Sequence, residues 1–213
     1  DTDSNTLIIN GSWGQNAQVI YNNISPGTYF LKVPRYSGYG SYYLTSTFTP
    51  ATYPNDIEPN DIIQNSIPIL LNDSLTGHLG YYGSGYTDYA DYYHFTTSVD
   101  GKIRFRVLTT DQLQTNNLLI FDSDSLAILA SGNWGTDAVV EFPNLSAGNY
   151  FVKVPRYTGY GSYFITSTFT PAAFTNDMEP NSIPQNSNFL NIGDSVTGHL
   201  GFYGSGSLDG SDW

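Results

Sequence analysis

The sequence predicts an all-β protein, built as antiparallel, jelly-roll-like β-sandwich domains in tandem. Three observations carry that expectation. The 213 residues include 18 Tyr, 12 Phe and 21 Gly but 1 Met and 0 Cys, so residues that favour strands and turns dominate over helix formers. Strand-like runs recur at short intervals with turn chemistry between them, and no stretch of a dozen residues has a 3.6-residue apolar period. Residues 1–92 align without a gap on residues 122–213 at a constant offset of 121, and 52 of these 92 pairs are identical.

The runs predict strands at Gln18–Tyr21, Tyr29–Val33, Tyr42–Thr47, Tyr92–Thr97, Lys102–Leu108, Leu118–Phe121, Val139–Phe142, Tyr150–Val154 and Tyr163–Thr168. Lys102–Leu108 alternates charged and apolar side chains, the period of a strand with one face in a core. Ser25-Pro26-Gly27, Ser37-Gly38-Tyr39-Gly40, Asp100-Gly101 and Ser146-Ala147-Gly148 supply the turns.

A period of 121 residues matches a whole domain and is too long for one turn of a solenoid. Substitutions between the copies are mostly Tyr for Phe, among Leu, Ile and Val, or Ser for Thr, as buried equivalent positions require. The Pro- and Asn-rich stretch 49–56 and its twin 170–177 read as linkers. Residues 1–51 are then the C-terminal part of a preceding repeat, 52–172 a complete repeat, and 173–213 the N-terminal part of a following one. The chain starts at Asp1 with neither Met nor a signal peptide, as a mature or excised piece would. Two organisations fit this phase: a window on a longer array, or partial copies that complete one another between chains by strand donation.

The formal charge of −12, with only 7 Lys and Arg, excludes the clustered cations that nucleic acid or an anionic membrane surface demands. No run approaches the ~20 apolar residues of a membrane span. An acidic surface suits solubility outside cells and attracts hard divalent cations, and the absence of Cys argues against a small eukaryotic extracellular module.

A resemblance rests on an ordered set of motifs. Glu58-Pro59-Asn60-Asp61 is followed by Thr76-Gly77, by the run from Asp88 to Phe95, and by Gly101 before the alternating strand. The runs 119–124, 145–154 and 160–166 complete the set. This order resembles the bacterial pre-peptidase C-terminal (PPC) domain, a β-sandwich attached to secreted peptidases and large surface proteins. The resemblance covers about 55–169 and, through the repeat, nearly the whole chain. It implies a non-catalytic accessory domain, which in some members binds calcium and then an extracellular polymer.

Asp56, Glu58, Asn60 and Asp61 place oxygen ligands at near-alternate positions in a Pro-stiffened segment, and Asp88 and Asp91, three apart before a strand, could close the shell. Calcium takes six to eight such oxygens and tolerates irregular geometry. The resemblance implies the same residues, since the linker acids and the later Asp pair are the ligands of the calcium-binding relatives. The second copy repeats them as Asp177, Glu179, Asn181, Asp209 and Asp212, with Ser182 in place of Asp61. The same acids would also suit a capped turn flanked by solvated loop charges. Asp1-Thr2-Asp3 and Asp122-Ser123-Asp124 lack the Gly and Glu of a calcium loop and read as turns.

The loop 35–43, repeated at 156–164, sets Arg35, Tyr36 and Tyr39, and then Arg156, Tyr157 and Tyr160, among glycines. Such faces stack on sugars or on a neighbouring domain, or simply cover the end of a sandwich. Asn10, Asn23, Asn72 and Asn144 head Asn-x-Ser sequons, and Ser74 and Ser195 lie in Asp-Ser-apolar triplets like those some bacteria O-glycosylate. His78, His94 and His199 form no HExxH, and no nucleophile elbow is present, so no catalytic residue is expected. The expectation is a non-catalytic extracellular repeat module. It would be a segment of a bacterial surface fibre, filament or adhesin stalk, rigidified by calcium at its linkers, glycosylated, and partnered by neighbouring repeats or copies of itself. The alternative is an accessory module that binds a polysaccharide or fibrous protein through its Tyr-rich loops.

Overall fold

The structure, a computed structural model, describes residues 7–83, 85–122, 127–204 and 206–213. Of the turn acids named above, Asp1, Asp3 and Asp124 lie outside the described residues. In chain order the strands are β1 (Ile67–Pro68), β2 (Ser74–Leu79), β3 (Tyr82–Gly83), β4 (Tyr86–Thr87), β5 (Ala90–Thr97), β6 (Gly101–Thr109) and β7 (Gln114–Thr115). They continue with β8 (Leu119–Phe121), β9 (Ile128–Ser131), β10 (Asp137–Leu145), β11 (Gly148–Thr158), β12 (Gly161–Pro171), β13 (Tyr203–Gly204) and β14 (Ser207–Leu208).

Two sheets form the sandwich. One runs β1-β5-β11-β8-β9, with β7 on the far end of β11; the other runs β14-β13-β10-β6-β12-β2. β6 shows the alternation read from its sequence: Ile103, Phe105 and Val107 are buried, while Lys102 and Leu108 face solvent and Arg104 and Arg106 are half-buried. The buried set meets Phe95, Ile120, Val140, Tyr150, Val152 and Ile165 from the other strands in a single core, where the Phe95 ring lies 5.0 Å from Phe105 and 5.6 Å from Tyr150. Removing a core ring such as Phe105 costs about 3–5 kcal/mol, the range for Phe→Ala in a packed interior.

The structure departs from the expected purely antiparallel sandwich in two places. β1 pairs parallel to β5, and β13 parallel to β10, so both sheets are mixed. Neither strand arrives through a hairpin: β1 comes in from the linker, and β13 belongs to the following copy and meets β10 at Leu145. A second departure concerns residues 7–52, where Gln18–Tyr21, Tyr29–Val33 and Tyr42–Thr47 form no strands. Their counterparts in the complete copy pair with β5 and β6, and residues 1–51 contain the equivalents of neither. Without a partner the backbone cannot close a ladder, and the apolar faces stay wet: Phe30 and Tyr42 are exposed where Phe151 is half-buried and Tyr163 is buried.

Consecutive copies touch in the same way twice. Tyr82 N donates to Asn23 O (2.8 Å), Ser25 N to Tyr82 O (2.8 Å), and the Tyr29 hydroxyl to Tyr82 O (3.3 Å). A shift of 121 residues turns the last two into Ser146 N to Tyr203 O (2.9 Å) and the Tyr150 hydroxyl to Tyr203 O (3.3 Å). The Asn23 amide donates to Gly80 O, as the Asn144 amide does to Gly201 O. Ring pairs repeat too: Tyr21 on Tyr82 at 6.5 Å and 86°, Phe142 on Tyr203 at 6.4 Å and 88°. A buried pair adds to the second junction, where His199 Nδ1 lies 2.6 Å from Asp100 Oδ2 and Nε2 lies 2.8 Å from Phe174 O. Burial opposes charge on His199, but the Asp100 carboxylate and the Phe174 carbonyl outweigh it and raise its pKa.

Candidate metal centre

The linker that leads into the sandwich carries Asp56, Glu58 and Asn60, while Asp88 lies just before β5 and Asp91 on it. Oxygens of Asp56, Glu58 and Asp91 lie within 4.8 Å of one another. In the following copy Asp177, Glu179 and Asp212 converge within the same limit. Local pairing holds the frame. Asn60 Nδ2 donates to Asp56 Oδ2 (2.8 Å), Asn60 N to Glu58 Oε2 (3.2 Å), and Tyr92 N to Asn60 O (3.0 Å), which ties the linker to β5. The second copy repeats the first two bonds as Asn181 Nδ2 to Asp177 Oδ2 (2.6 Å) and Asn181 N to Glu179 Oε2 (3.0 Å).

The unmet hydrogen-bonding capacity is concentrated here. Asp56 Oδ1, Asn60 Oδ1, Asp88 Oδ1 and Asp91 Oδ1 are buried without a hydrogen-bond partner, as are Asp177 Oδ1, Asn181 Oδ1 and both oxygens of Asp209. Buried acceptors in native proteins are nearly always paired, and leaving one bare costs about 1–3 kcal/mol. The electrostatics point the same way. Burial, then the charges of Glu58 and Asp61, pushes Asp88 up to about 9. Burial and the neighbouring Asp56 and Asp88 carry Asp91 well above the carboxylate range. Asp56 and Glu58 are raised mainly by burial, with Asp56 adding to Glu58, and Asp212 is raised by burial and then by Asp177 and Asp209. A cluster of hard carboxylate and amide oxygens, buried together and short of donors, fits a divalent cation with oxygen preference.

Two tyrosines that sequence reasoning passed over brace the cluster. The Tyr93 hydroxyl donates to Asp56 Oδ2 (2.5 Å), the Tyr163 hydroxyl donates to Asp91 Oδ2, and the two hydroxyls touch each other. Both rings are fully buried. Gly77 makes room for Tyr163: a Cβ there would overlap its hydroxyl. The corresponding Gly198 faces Asp177 and Asp212 instead.

Asp61 lies at the edge of the cluster, hydrogen-bonded to Asp88 and Tyr86. The Tyr loops divide. Arg156 Nε donates to Gly159 O (2.5 Å) and its guanidinium lies over Tyr89 at 5.4 Å, while Tyr160 packs edge-on against Tyr81 at 6.2 Å. Tyr157 stays exposed beside Trp134, and Tyr36 and Tyr39 are exposed, with Arg35 bonded to Gly38 O. Of the sequon residues, Asn10, Asn72 and Ser195 are exposed and Ser74 half-buried, whereas the amides of Asn23 and Asn144 are engaged in the junctions. His94 bonds to Ser66 and His78 to Tyr53 O.

No protein-family model matches the sequence, and no curated protein matches it. Among solved structures the chain is similar to the pre-peptidase C-terminal domain of a collagenase from Bacillus anthracis, at 22% identity and a TM-score of 0.41, over 55% of this chain and 99% of that one. Among the described residues no helix is long and apolar enough to cross a membrane.

Proposed function

We propose that this chain is a segment of a repetitive, non-catalytic extracellular structural protein of a bacterial surface, in which calcium stiffens each interdomain linker. The observation that carries the reading is the ring of partnerless buried oxygens at Asp56, Asn60, Asp88 and Asp91, met again 121 residues on at Asp177, Asn181 and Asp209. In the first set Asp56 and Asn60 belong to the linker, Asp88 lies just before β5 and Asp91 on it; in the second Asp177 and Asn181 belong to the linker and Asp209 is the counterpart of Asp88. One bound cation would therefore tie the hinge to the body of the domain and neutralise the mutual repulsion of the acids. The recurrence of the junction bonds supports a fixed relation between neighbouring repeats.

Calcium present at about a hundred times its dissociation constant adds about 2.7 kcal/mol to the folded state. For a domain of this size that raises the melting temperature by roughly 10 °C. Asp91→Asn should separate a metal role from a packing role. It removes a ligand charge, so the calcium-induced rise should shrink at least by half, while the metal-free protein should melt no lower than the parent because an acid that burial holds protonated at a cost to the fold is gone. An unchanged melting curve on adding excess EDTA to calcium-loaded parent protein would defeat the proposal.

A further inference from the structure

We propose that each complete repeat carries a binding site for a neutral pyranose polysaccharide in the cleft between Trp134 and Tyr157, separate from the acidic cluster. The cleft, of ≈ 230 Å³, is lined by Asn116, Asn117, Trp134 and Tyr157. The two rings stand 5.8 Å apart at 55°, forming an open V, and both are about 60% exposed (60% for Trp134, 61% for Tyr157). That exposure persists inside a finished sandwich, so the core does not explain the Trp.

The repeat adds an independent observation. Between the segments 10–16 and 131–137 only Gly11, Trp13 and Gly14 are kept, as Gly132, Trp134 and Gly135, and Tyr36 is kept as Tyr157. Two adjoining exposed rings, both kept between the copies while the residues beside the Trp change, form a contiguous apolar patch of the kind that marks a contact site.

The chemistry of the lining selects the ligand. No charged side chain lines the cleft, which favours a neutral ligand. Aromatic faces take the apolar C–H faces of a pyranose, and a primary amide, with one acceptor and two donors in a plane, suits adjacent hydroxyls. The amides are held in place: Asn116 N donates to Pro155 O (2.7 Å), Asn116 Oδ1 accepts from Asn117 N (2.8 Å), and Asn117 Nδ2 donates to Ser131 Oγ (3.2 Å). No hydrogen bond among the described residues uses Asn116 Nδ2. An extended peptide would need a free strand edge, but here β11 is already paired with β7, Arg156 opposite Thr115 and Thr158 opposite Gln114. A shallow site of this kind binds weakly alone and gains by repetition, since linking sites along one chain multiplies avidity roughly 10²–10⁴-fold.

The test is native affinity electrophoresis of the full chain in gels containing hydroxyethylcellulose, laminarin or galactomannan, with gelatin as the protein comparator. Retardation by at least one of the three polysaccharides is expected. Trp134→Ala and Tyr157→Ala should each weaken it at least tenfold without moving the melting temperature. Trp13→Ala should leave it unchanged, because residues 1–51 contain no counterparts of Asn116 and Asn117. Retardation should persist in EDTA, which separates this site from the metal centre. The proposal is overturned if none of the polysaccharides retards the chain, if gelatin alone does, or if retardation survives both cleft variants.

Discussion

Proton linkage at single carboxylates provides the sharpest check on the metal centre. Asp88 titrates near 9 in the fold and near 4 in an unfolded chain, so across that interval the native state holds a proton that the unfolded state has released. Stability contributed this way is fully present below about pH 4 and lost as pH rises toward 9; Asp91, raised by its burial, has the same sign. His199, also raised, loses its contribution as pH climbs as well. Metal-free protein should therefore melt higher at pH 5.5 than at pH 8, and calcium binding at pH 7.5 should release protons. Calorimetry in buffers of different ionisation enthalpy reads the release directly; heats that do not vary with buffer would contradict it. The acids themselves were legible in the sequence, because the Asn-Asp-x-Glu-Pro-Asn motif recurs at a fixed offset. Their bracing was not: Tyr93 and Tyr163 look like any aromatic in an alternating strand, and their carboxylate partners lie 37 and 72 residues away.

At the scale of elements, the hairpin β13–β14 tests what holds neighbouring copies together. It meets the sandwich through the Ser146–Tyr203 backbone bond, the Asn144 amide on Gly201 and the Phe142–Tyr203 ring pair. Asn144→Ala removes one of these and leaves Gly201 O without its donor, at a local cost of about 1 kcal/mol. Amide hydrogen exchange at Ser146 should quicken severalfold while β6 and β12 keep their protection. An equal loss throughout would mean that the hairpin is part of the core cooperative unit. The alternation of β6 could be read from sequence because its two faces meet different solvents. The short strands β3, β4, β13 and β14 could not, since two-residue ladders leave no period. The Asn-x-Ser triplets at Asn23 and Asn144, which read as glycan acceptors, supply at both junctions the side-chain amide and the serine N–H of the contact.

For the whole molecule, the expected strands that failed to form are as informative as those that did. Residues 7–52 have strand sequence but lack strand partners, whereas Lys102, Arg104 and Arg106 lie on β6, paired on both sides by β10 and β12. Trypsin should thus cut after Lys32 and Arg35 well before it touches β6, leaving a resistant fragment that begins near residue 36. Early cleavage at Arg104 or Arg106 would mean that the sandwich does not hold. Fold class was readable because it depends on local pattern, and the missing strands were not because pairing is a property of the neighbourhood.

The two junctions differ by 0.1 Å and 2° in their ring geometry. Applying one rigid displacement again and again always generates a screw axis, whatever the displacement is. A longer array of these copies would then be a helix, its handedness and pitch written into the set of contacts that each junction repeats. The Trp–Tyr clefts would wind around it at regular angular steps, so that the spacing presented to a long ligand is set by the rise per repeat rather than by the contour of a flexible string.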